Sequence, residues 1–131
     1  RVFCQFIRNV LRGEDIVMKS DGSQMRSWCY VADCALAMLY VLLNGERGNA
    51  YNIADTSSVF SIREMAETLA HQAGRKVVFA IPEDAEKKVF TKISYAVFAT
   101  DKLEALGWKP LAGDWQQKLQ TTIREEMEKA N

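Results

Sequence analysis

One arginine in a patterned stretch is the residue of this chain best suited to bind an anion. Arg26 follows an Asp21-Gly22 turn and precedes an alternating run of aromatic and small residues, Ser27 to Val31. A guanidinium is always charged and can bind two phosphate or carboxylate oxygens at once. Such a cation at the start of a strand could hold an anionic group at the edge of the fold. An ordinary surface arginine explains the same pattern when Arg26 is considered alone.

Few other residues can form a metal site or a catalytic triad. The sequence contains a single histidine, His71, and three cysteines, Cys4, Cys29 and Cys34, without a C-x-x-C pair. An odd number of thiols without such a pair is typical of a reducing compartment, and buried thiols behave as small apolar groups. We therefore predict no metal centre, inert thiols at Cys29 and Cys34, and a surface position for His71.

Charge and hydropathy limit the classes of function. The 131 residues include 17 basic and 17 acidic side chains, so the formal net charge is zero. This balance argues against a nucleic-acid or membrane-surface role driven by bulk charge. No apolar run approaches the roughly 18 residues of a membrane-spanning helix, and the first residues do not resemble a secretory signal. We expect a cytoplasmic domain, and the missing initial Met indicates a chain that begins within a longer protein.

Apolar periodicity predicts helices and short strands in the first part of the chain. A helical face covers Phe3 to Leu11, and extended segments follow at Asp15–Lys19 and Arg26–Tyr30. The next helix starts at Val31 and stops at Gly45. Its residues are apolar nearly all round, so we predict that this helix is well buried.

The remainder of the chain continues the alternation of helices and strands. We predict a strand at Ala50–Ala54, a helix after the Ser61–Glu64 capping box, a strand at Lys76–Ile81, an extended segment at Ile93–Ala99, a short helix at Asp101–Leu106 capped by Thr100, and a final helix over roughly Asp114–Lys129 with its charged residues outside. This order favours an α/β or α+β architecture.

Four motifs together resemble the C-terminal third of the extended short-chain dehydrogenase/reductase family, the NAD-dependent nucleotide-sugar epimerases, dehydratases and decarboxylases. They are Asp21-Gly22 with Arg26 to Asp33, then Tyr51 to Ala54, then Ser61 to Glu64, then Lys102 to Pro110. The resemblance covers nearly the whole chain. It implies that residues 1–131 form the substrate-binding portion of a Rossmann-type NAD(P)-binding enzyme, without most of the Rossmann sheet.

Two features of that family are missing from this sequence. No glycines show the GxxGxxG spacing that cradles a pyrophosphate, and no tyrosine is followed by lysine in a Tyr-x-x-x-Lys pattern. We therefore expect a fragment in which no residue is catalytic and which binds no cofactor alone. The resemblance implies NAD in the full-length enzyme, which takes hydride from the sugar before epimerisation, dehydration or decarboxylation.

The resemblance also implies a set of substrate-binding residues. Arg26 would contact the diphosphate of a UDP- or dTDP-linked sugar, and Val17, Met18 and Lys19 would line the base pocket partly through backbone groups. Lys88, beside Lys87, stands near a second cation of the family. An ordinary edge strand at Val17–Lys19 and a solvated charge cluster at Lys88 stay open as alternatives.

Neighbouring residues have structural interpretations, and the function has an alternative. We expect Asp33 to cap its helix, Trp28 and Tyr30 to pack in the core, and Trp108 to pack the small C-terminal helix. A stand-alone, non-catalytic nucleotide-sugar-binding or interaction module is the second hypothesis. If the dinucleotide domain is absent, the helix after Val31 has an exposed apolar face, and we expect self-association into a homo-oligomer.

Overall fold

The computed structural model describes residues 2–81, 93–111 and 113–130. Helices and strands mix along the chain, as the sequence predicts. The elements are α1 (Val2–Leu11), β1 (Ile16–Met18), β2 (Met25–Trp28), α2 (Val31–Asn44), β3 (Asp55–Ser61), α3 (Ile62–Gln72), β4 (Val77–Phe79), β5 (Tyr95–Ala96), α4 (Asp101–Ala105) and α5 (Trp115–Ala130). Most predicted helices are found within one or two residues of their expected bounds, which confirms a mixed α/β fold.

The strands of the described residues form two small sheets. β1 pairs in parallel with β4, and Val17 lies opposite Val78. The second sheet has the order β3-β2-β5, in which β2 is antiparallel to β3 and parallel to β5. β2 is thus the central strand of the second sheet, and it carries Arg26.

The main core lies where α1, α3 and α5 pack against the second sheet. An aromatic row crosses it: Trp28 stacks on Phe60 with ring centroids 5.5 Å apart, and Phe60 stacks on Trp115 at 4.0 Å. The buried helix residues around this row are Phe6, Ile7, Val10, Met65, Ala66, Leu69, Leu119 and Ile123. Burying each large apolar side chain contributes roughly 1.5–3 kcal/mol, so this cluster dominates the stability of the fold.

A second, smaller core holds α4 against α2. Trp108 is 1% exposed and packs with Ala37 and Leu103. Its indole N–H donates a hydrogen bond to the carbonyl oxygen of Asp33 at 3.2 Å. The prediction that Trp108 packs the small helix is therefore confirmed.

The start of α3 and the turn before β2 are locked together. Ser61 and Glu64 form the predicted capping box, with both reciprocal hydrogen bonds present. Gly22 has a φ of +69°, and a Cβ at this position would overlap the Met18 Cε atom and lie 2.9 Å from the Arg63 nitrogen. Glycine is therefore required where the chain passes between β1 and α3 to enter β2.

The prediction that α2 is well buried is wrong for the described residues. Only Asp33 and Ala37 of this helix are buried, while Val31, Leu42 and Leu43 are more than 70% exposed. No described element covers that side of the helix. An exposed apolar face on this helix, the other expectation from the sequence, is found among the described residues.

The predicted strand at Ala50–Ala54 is also wrong, because the strand begins only at Asp55. Side chains instead anchor the segment before it: Asn52 donates to the carbonyl oxygen of Ala99 at 3.0 Å, and the Tyr51 hydroxyl accepts from the Glu46 N–H at 2.9 Å. The sequence of β3 is rich in serine and lacks clean alternation, which explains why no strand was predicted there.

Thr100 stands at the predicted start of α4 without capping it by its side chain. Its hydroxyl donates to a carboxylate oxygen of Glu104 at 2.6 Å instead.

In residues 2–81, 93–111 and 113–130 no helix is long and apolar enough to span a membrane. The same described residues hold no cluster of His, Cys, Asp and Glu side chains that could bind a metal ion.

Candidate functional site

Arg26 is a half-buried cation in the middle strand of the second sheet. It lies opposite Phe60 of β3 and Ala96 of β5. Its guanidinium donates to two carbonyl oxygens, that of Met25 at 2.7 Å and that of Ile93 at 2.9 Å. Among the described residues, no carboxylate forms an ion pair with Arg26. Because a guanidinium has five N–H donors, further donors and the full positive charge are left for an anion.

Of the predicted base-pocket residues, Val17 and Met18 lie on β1, in the other sheet, and Lys19 directly follows that strand. Val17 and Lys19 are exposed, whereas the Met18 side chain is 3% exposed and belongs to the core. The Met18 carbonyl oxygen accepts from the Ala80 N–H at 2.8 Å, so it is not free for a ligand. Neither the buried side chain nor the carbonyl oxygen of Met18 is therefore available to a ligand.

The backbone of Val17 points to the open edge of this sheet. The residues on either side of Val17 bond to the β4 side: Ile16 donates to Lys76, and Met18 accepts from Ala80. In a parallel pair, alternate residues bond to the same neighbour, so the N–H and C=O of Val17 face away from β4. Among the described residues nothing pairs with that edge.

The turn at Gly22 links these residues to Arg26 along the chain. This turn contacts Met18 and leads into the strand that carries Arg26. No hydrogen bond between described side chains joins Arg26 to Val17 or Lys19. The predicted second cation, Lys88, and its neighbour Lys87 lie outside the described residues.

A buried charge cluster that the sequence did not predict lies at the other end of β2. The Lys118 ammonium is 2.8 Å from the Asp33 carboxylate and 3.3 Å from the Asp55 carboxylate. Both aspartates are fully buried, and the Lys118 side chain is 11% exposed. Asp33 also accepts from the Leu111 N–H at 2.7 Å. The cluster joins α2, β3 and α5.

Hydrogen bonds and charge favour the ionised forms of Asp55 and Lys118 in this cluster. Burial alone would raise the pKa of Asp55, but hydrogen bonds from Ser57 and Ser58 and the Lys118 charge outweigh it and lower that pKa. Burial would lower the pKa of Lys118, but its hydrogen bond to Asp33 and its attraction to both carboxylates raise it instead. The Asp55 carboxylate and the Lys118 ammonium therefore favour each other's charged forms inside the fold.

Two sequence predictions need correction here. Asp33 does not cap α2, because no side chain bonds the N-terminus of that helix and the Asp33 carboxylate is used by Lys118 and Leu111. Lys118 does not lie on the exposed face of α5, although we predict the charged residues of this helix on that face. Its spacing from the half-buried Trp115, three residues earlier, is the sequence signal that places it on the flank of the buried stripe.

A mostly apolar cleft of about 390 Å³ opens beside the cluster. Trp28, Tyr30, Trp115, Cys29 and Lys118 contribute to its wall. Burial raises the pKa of the Cys29 thiol to about 11, with the negative groups at Cys34, Asp33 and Asp55 adding to the effect. Since the thiolate is the reactive form, this supports the prediction that Cys29 is inert.

Comparison with known proteins identifies the family. The model of the NAD dependent epimerase/dehydratase family matches residues 1–54. The chain is 32% identical over 106 residues to low-salt glycan biosynthesis protein Agl12 of Haloferax volcanii (81% of this chain, 33% of that protein). It is 32% identical over 114 residues to UDP-glucuronic acid decarboxylase 6 of Arabidopsis thaliana (84% and 31%).

Solved structures of the family share the fold. UDP-glucose 4-epimerase of Thermotoga maritima, crystallised with UDP-glucose, superposes with a TM-score of 0.80 at 21% identity, over 100% of this chain and 40% of that one. The chain spans about a third of the length of the curated relatives that it matches. This protein chain belongs to the NAD-dependent epimerase/dehydratase family of extended short-chain dehydrogenases/reductases.

Proposed function

We propose that residues 1–131 are the nucleotide-sugar-binding portion of a cytoplasmic, NAD-dependent enzyme that epimerises, dehydrates or decarboxylates a UDP- or dTDP-linked sugar. Relatives named for such reactions support this class. Binding energy from the nucleotide, which does not react, can orient the sugar for chemistry elsewhere in the enzyme. The role of this portion is therefore to hold the substrate.

The observation that carries the proposal is the charge of Arg26, which has no ionic partner among the residues that the structure describes. Two carbonyl oxygens orient its guanidinium without neutralising it. Buried cations normally have an anionic partner, and partial burial of Arg26 removes part of its hydration, which favours binding of an anion. A diphosphate supplies that partner with several acceptor oxygens, and it can bind the planar guanidinium in a bidentate manner.

The open edge of β1 supports a place for the base. A uracil or thymine edge presents both a hydrogen-bond donor and acceptors, which match a backbone C=O and N–H. Of the three predicted residues, Val17 is the one whose backbone faces the open edge. We therefore assign base contacts to the backbone of Val17, with Lys19 beside it, and keep Lys88 as a second diphosphate cation.

The residues of this chain do not fit an NAD cradle. Such a cradle needs free N–H groups at a glycine-rich turn before a helix. At the start of α3, the first three N–H groups are already bound to the carbonyl oxygens of Gln24 and Gly22 and to the Ser61 hydroxyl. The sequence also lacks GxxGxxG and Tyr-x-x-x-Lys. We assign no hydride or proton transfer to these residues, and we place NAD binding in the rest of the full-length enzyme.

Calorimetric titration of the chain tests the proposal. UDP-glucose and dTDP-glucose are compared with glucose and with uridine, which lacks phosphate. We expect measurable binding of the two nucleotide sugars and none of glucose or uridine, because the diphosphate supplies the charged contacts. Equal binding of uridine and UDP-glucose would contradict a diphosphate site, and absence of any binding would exclude the proposal for this chain.

The coding sequence upstream of Arg1 distinguishes an enzyme portion from a stand-alone binding module. An enzyme portion predicts a GxxGxxG turn and a Tyr-x-x-x-Lys pair in that upstream sequence. A module without catalysis predicts that the chain binds nucleotide sugars and that neither motif is encoded. Translation of the genomic region decides between them.

A further inference from the structure

We propose that Lys118 is a positioning residue for the diphosphate site: by joining Asp33 to Asp55, it holds the end of β2 and so the strand that presents Arg26. The inference rests on the proposed function for its effect on substrate. Its effect on β2 can be measured without any ligand. Lys118 touches neither Arg26 nor the predicted base-pocket residues, so its influence would be transmitted through the backbone.

The two aspartates lie on either side of the end of β2. Asp55 opens β3 and lies opposite Trp28, at the point where the register between β2 and β3 shifts. Asp33 stands in the first turn of α2, which begins three residues after Trp28. A single ammonium from α5 reaches both carboxylates. The irregular end of β2 is thus fixed by charge as well as by backbone pairing.

Without Lys118, two buried carboxylates would lose their shared counter-ion. Like charges that share a site cannot both stay ionised at low cost, so one pKa rises steeply. At high pH, both would be charged and would push β3 and α2 apart. At low pH, one would take a proton and could donate a hydrogen bond to the other, which restores the link. Substitution should therefore make the position of β2 depend on pH.

The other titratable groups near this cluster can be identified. Next to the end of β2, the Cys29 thiol interacts electrostatically with Asp33, Asp55 and Lys118. It also interacts with the Cys34 thiol of α2. The high pKa of Cys29, about 11, keeps it neutral across the range of interest. Among the described residues, the two carboxyl groups are the titratable groups that bond to Lys118 directly, so they respond most to its removal.

The first measurement is hydrogen exchange of the chain, compared between wild type and Lys118→Met at about pH 8 and again at about pH 5.5, with each rate divided by its intrinsic rate. We expect residues 25–31 to exchange faster in Lys118→Met than in wild type at about pH 8 and at a similar rate at about pH 5.5, with β1 unchanged at both. Lys118→Arg keeps the charge and should protect these amides as the wild type does. Lys102→Met, at an exposed position of α4, is the matched control. Unchanged protection of residues 25–31 in folded Lys118→Met would overturn the proposal.

The second measurement is UDP-glucose affinity, since its diphosphate diester has no group that titrates between these pH values. We expect Lys118→Met to bind roughly fivefold to tenfold more weakly at about pH 8 and within about twofold of wild type at about pH 5.5. Lys118→Arg should restore binding. Asp55→Asn combined with Lys118→Met removes the like-charge pair, so its affinity should lose the pH dependence.

The outcomes separate the two proposals. If wild type does not bind UDP-glucose, the proposed function fails, while exchange still reports whether Lys118 holds β2. If Lys118→Met does not fold, Asp55→Asn carries the test, because it keeps the Lys118–Asp33 pair and releases only β3. In that variant we expect faster exchange at residues 25–28 and weaker binding. Wild-type exchange and affinity in Asp55→Asn would then overturn the positioning role.

Discussion

Arg26 and Lys118 are both cations withdrawn from solvent, and they have opposite kinds of partner. Arg26 donates to two carbonyl oxygens, which orient its guanidinium and leave its charge in place. Lys118 donates to two fully buried carboxyl groups, which compensate its charge. The first arrangement attracts an anion, and the second excludes one. The partners of a cation, more than its burial, therefore separate a binding residue from a structural one.

The location of the two cations supports this distinction. Arg26 lies on the central strand of a sheet, beside exposed residues of the segment that carries β5. Lys118 lies between three elements whose ends it joins, and its partners are satisfied by additional hydrogen bonds from Ser58 and Leu111. A satisfied buried network stabilises one arrangement of the fold, whereas a cation without an ionic partner is available for a ligand.

Removal of Lys118 is expected to have the largest effect on stability. Lys118→Met leaves two buried carboxylates without a counter-ion, and breaking a buried pair costs about 3–5 kcal/mol. Urea unfolding at neutral pH measures the loss. Arg26→Met removes a cation that forms no ion pair within residues 2–81, 93–111 and 113–130, so it is the matched comparison and should cost less. Equal losses in the two variants would contradict the difference drawn between them.

Substitution of Arg26 is expected to have the largest effect on binding. Arg26→Gln removes charge-assisted hydrogen bonds worth about 1.5–3 kcal/mol, or roughly a tenfold to 150-fold loss of UDP-glucose affinity. The UDP-glucose affinity of Arg26→Lys should lie between those of wild type and Arg26→Gln, because lysine keeps the charge and loses the planar guanidinium. Calorimetry measures the affinities, and Arg124→Gln, on the exposed face of α5, is the control. Wild-type affinity in Arg26→Gln would exclude Arg26 as a ligand contact.

Acid should weaken the cluster through Asp55. Its folded pKa lies below the ordinary value of 3.8, so its contribution to stability is present above that value and is lost as the pH falls through the folded pKa. Lys118 has a raised pKa, so its contribution holds up to its ordinary 10.5 and disappears only above it. We expect the free energy of unfolding to decrease as the pH falls below about 4. Asp55→Asn should reduce the slope of this decrease with pH. An unchanged slope would show that Asp55 does not titrate with folding.

The smallest effect on stability is expected on the exposed face of α2, which has neither kind of charge. Leu42→Gln with Leu43→Gln should change the unfolding free energy by only about 0.5 kcal/mol per site, because both side chains are already in solvent. Self-association should decrease, since apolar surface drives it. Sedimentation velocity over a range of concentrations measures this, with exposed Val78→Gln as the control. A wild-type chain that stays monomeric throughout would refute the expectation of a homo-oligomer.

The sequence alone determined the local elements and the family. The capping box at Ser61–Glu64 and the apolar faces of α1, α3 and α5 depend on residues three or four positions apart, and such contacts form within one helix. The four motifs identified the family for the same reason, because each is a short run whose meaning does not depend on distant residues. The diphosphate role of Arg26 and the base contact at Val17 stay predictions.

Only the tertiary structure decided which charges meet. Lys118 is 85 residues from Asp33 and 63 from Asp55, and no local pattern relates them. The same reason explains the two errors about strands and burial: β3 exists because β2 lies beside it, and α2 is exposed because no described element covers its apolar side. The periodicity of apolar residues predicts which side of a helix or strand is apolar and would be stabilised by burial. The packing of distant segments decides whether that side is covered, and it brought Lys118 to the end of the strand that carries Arg26.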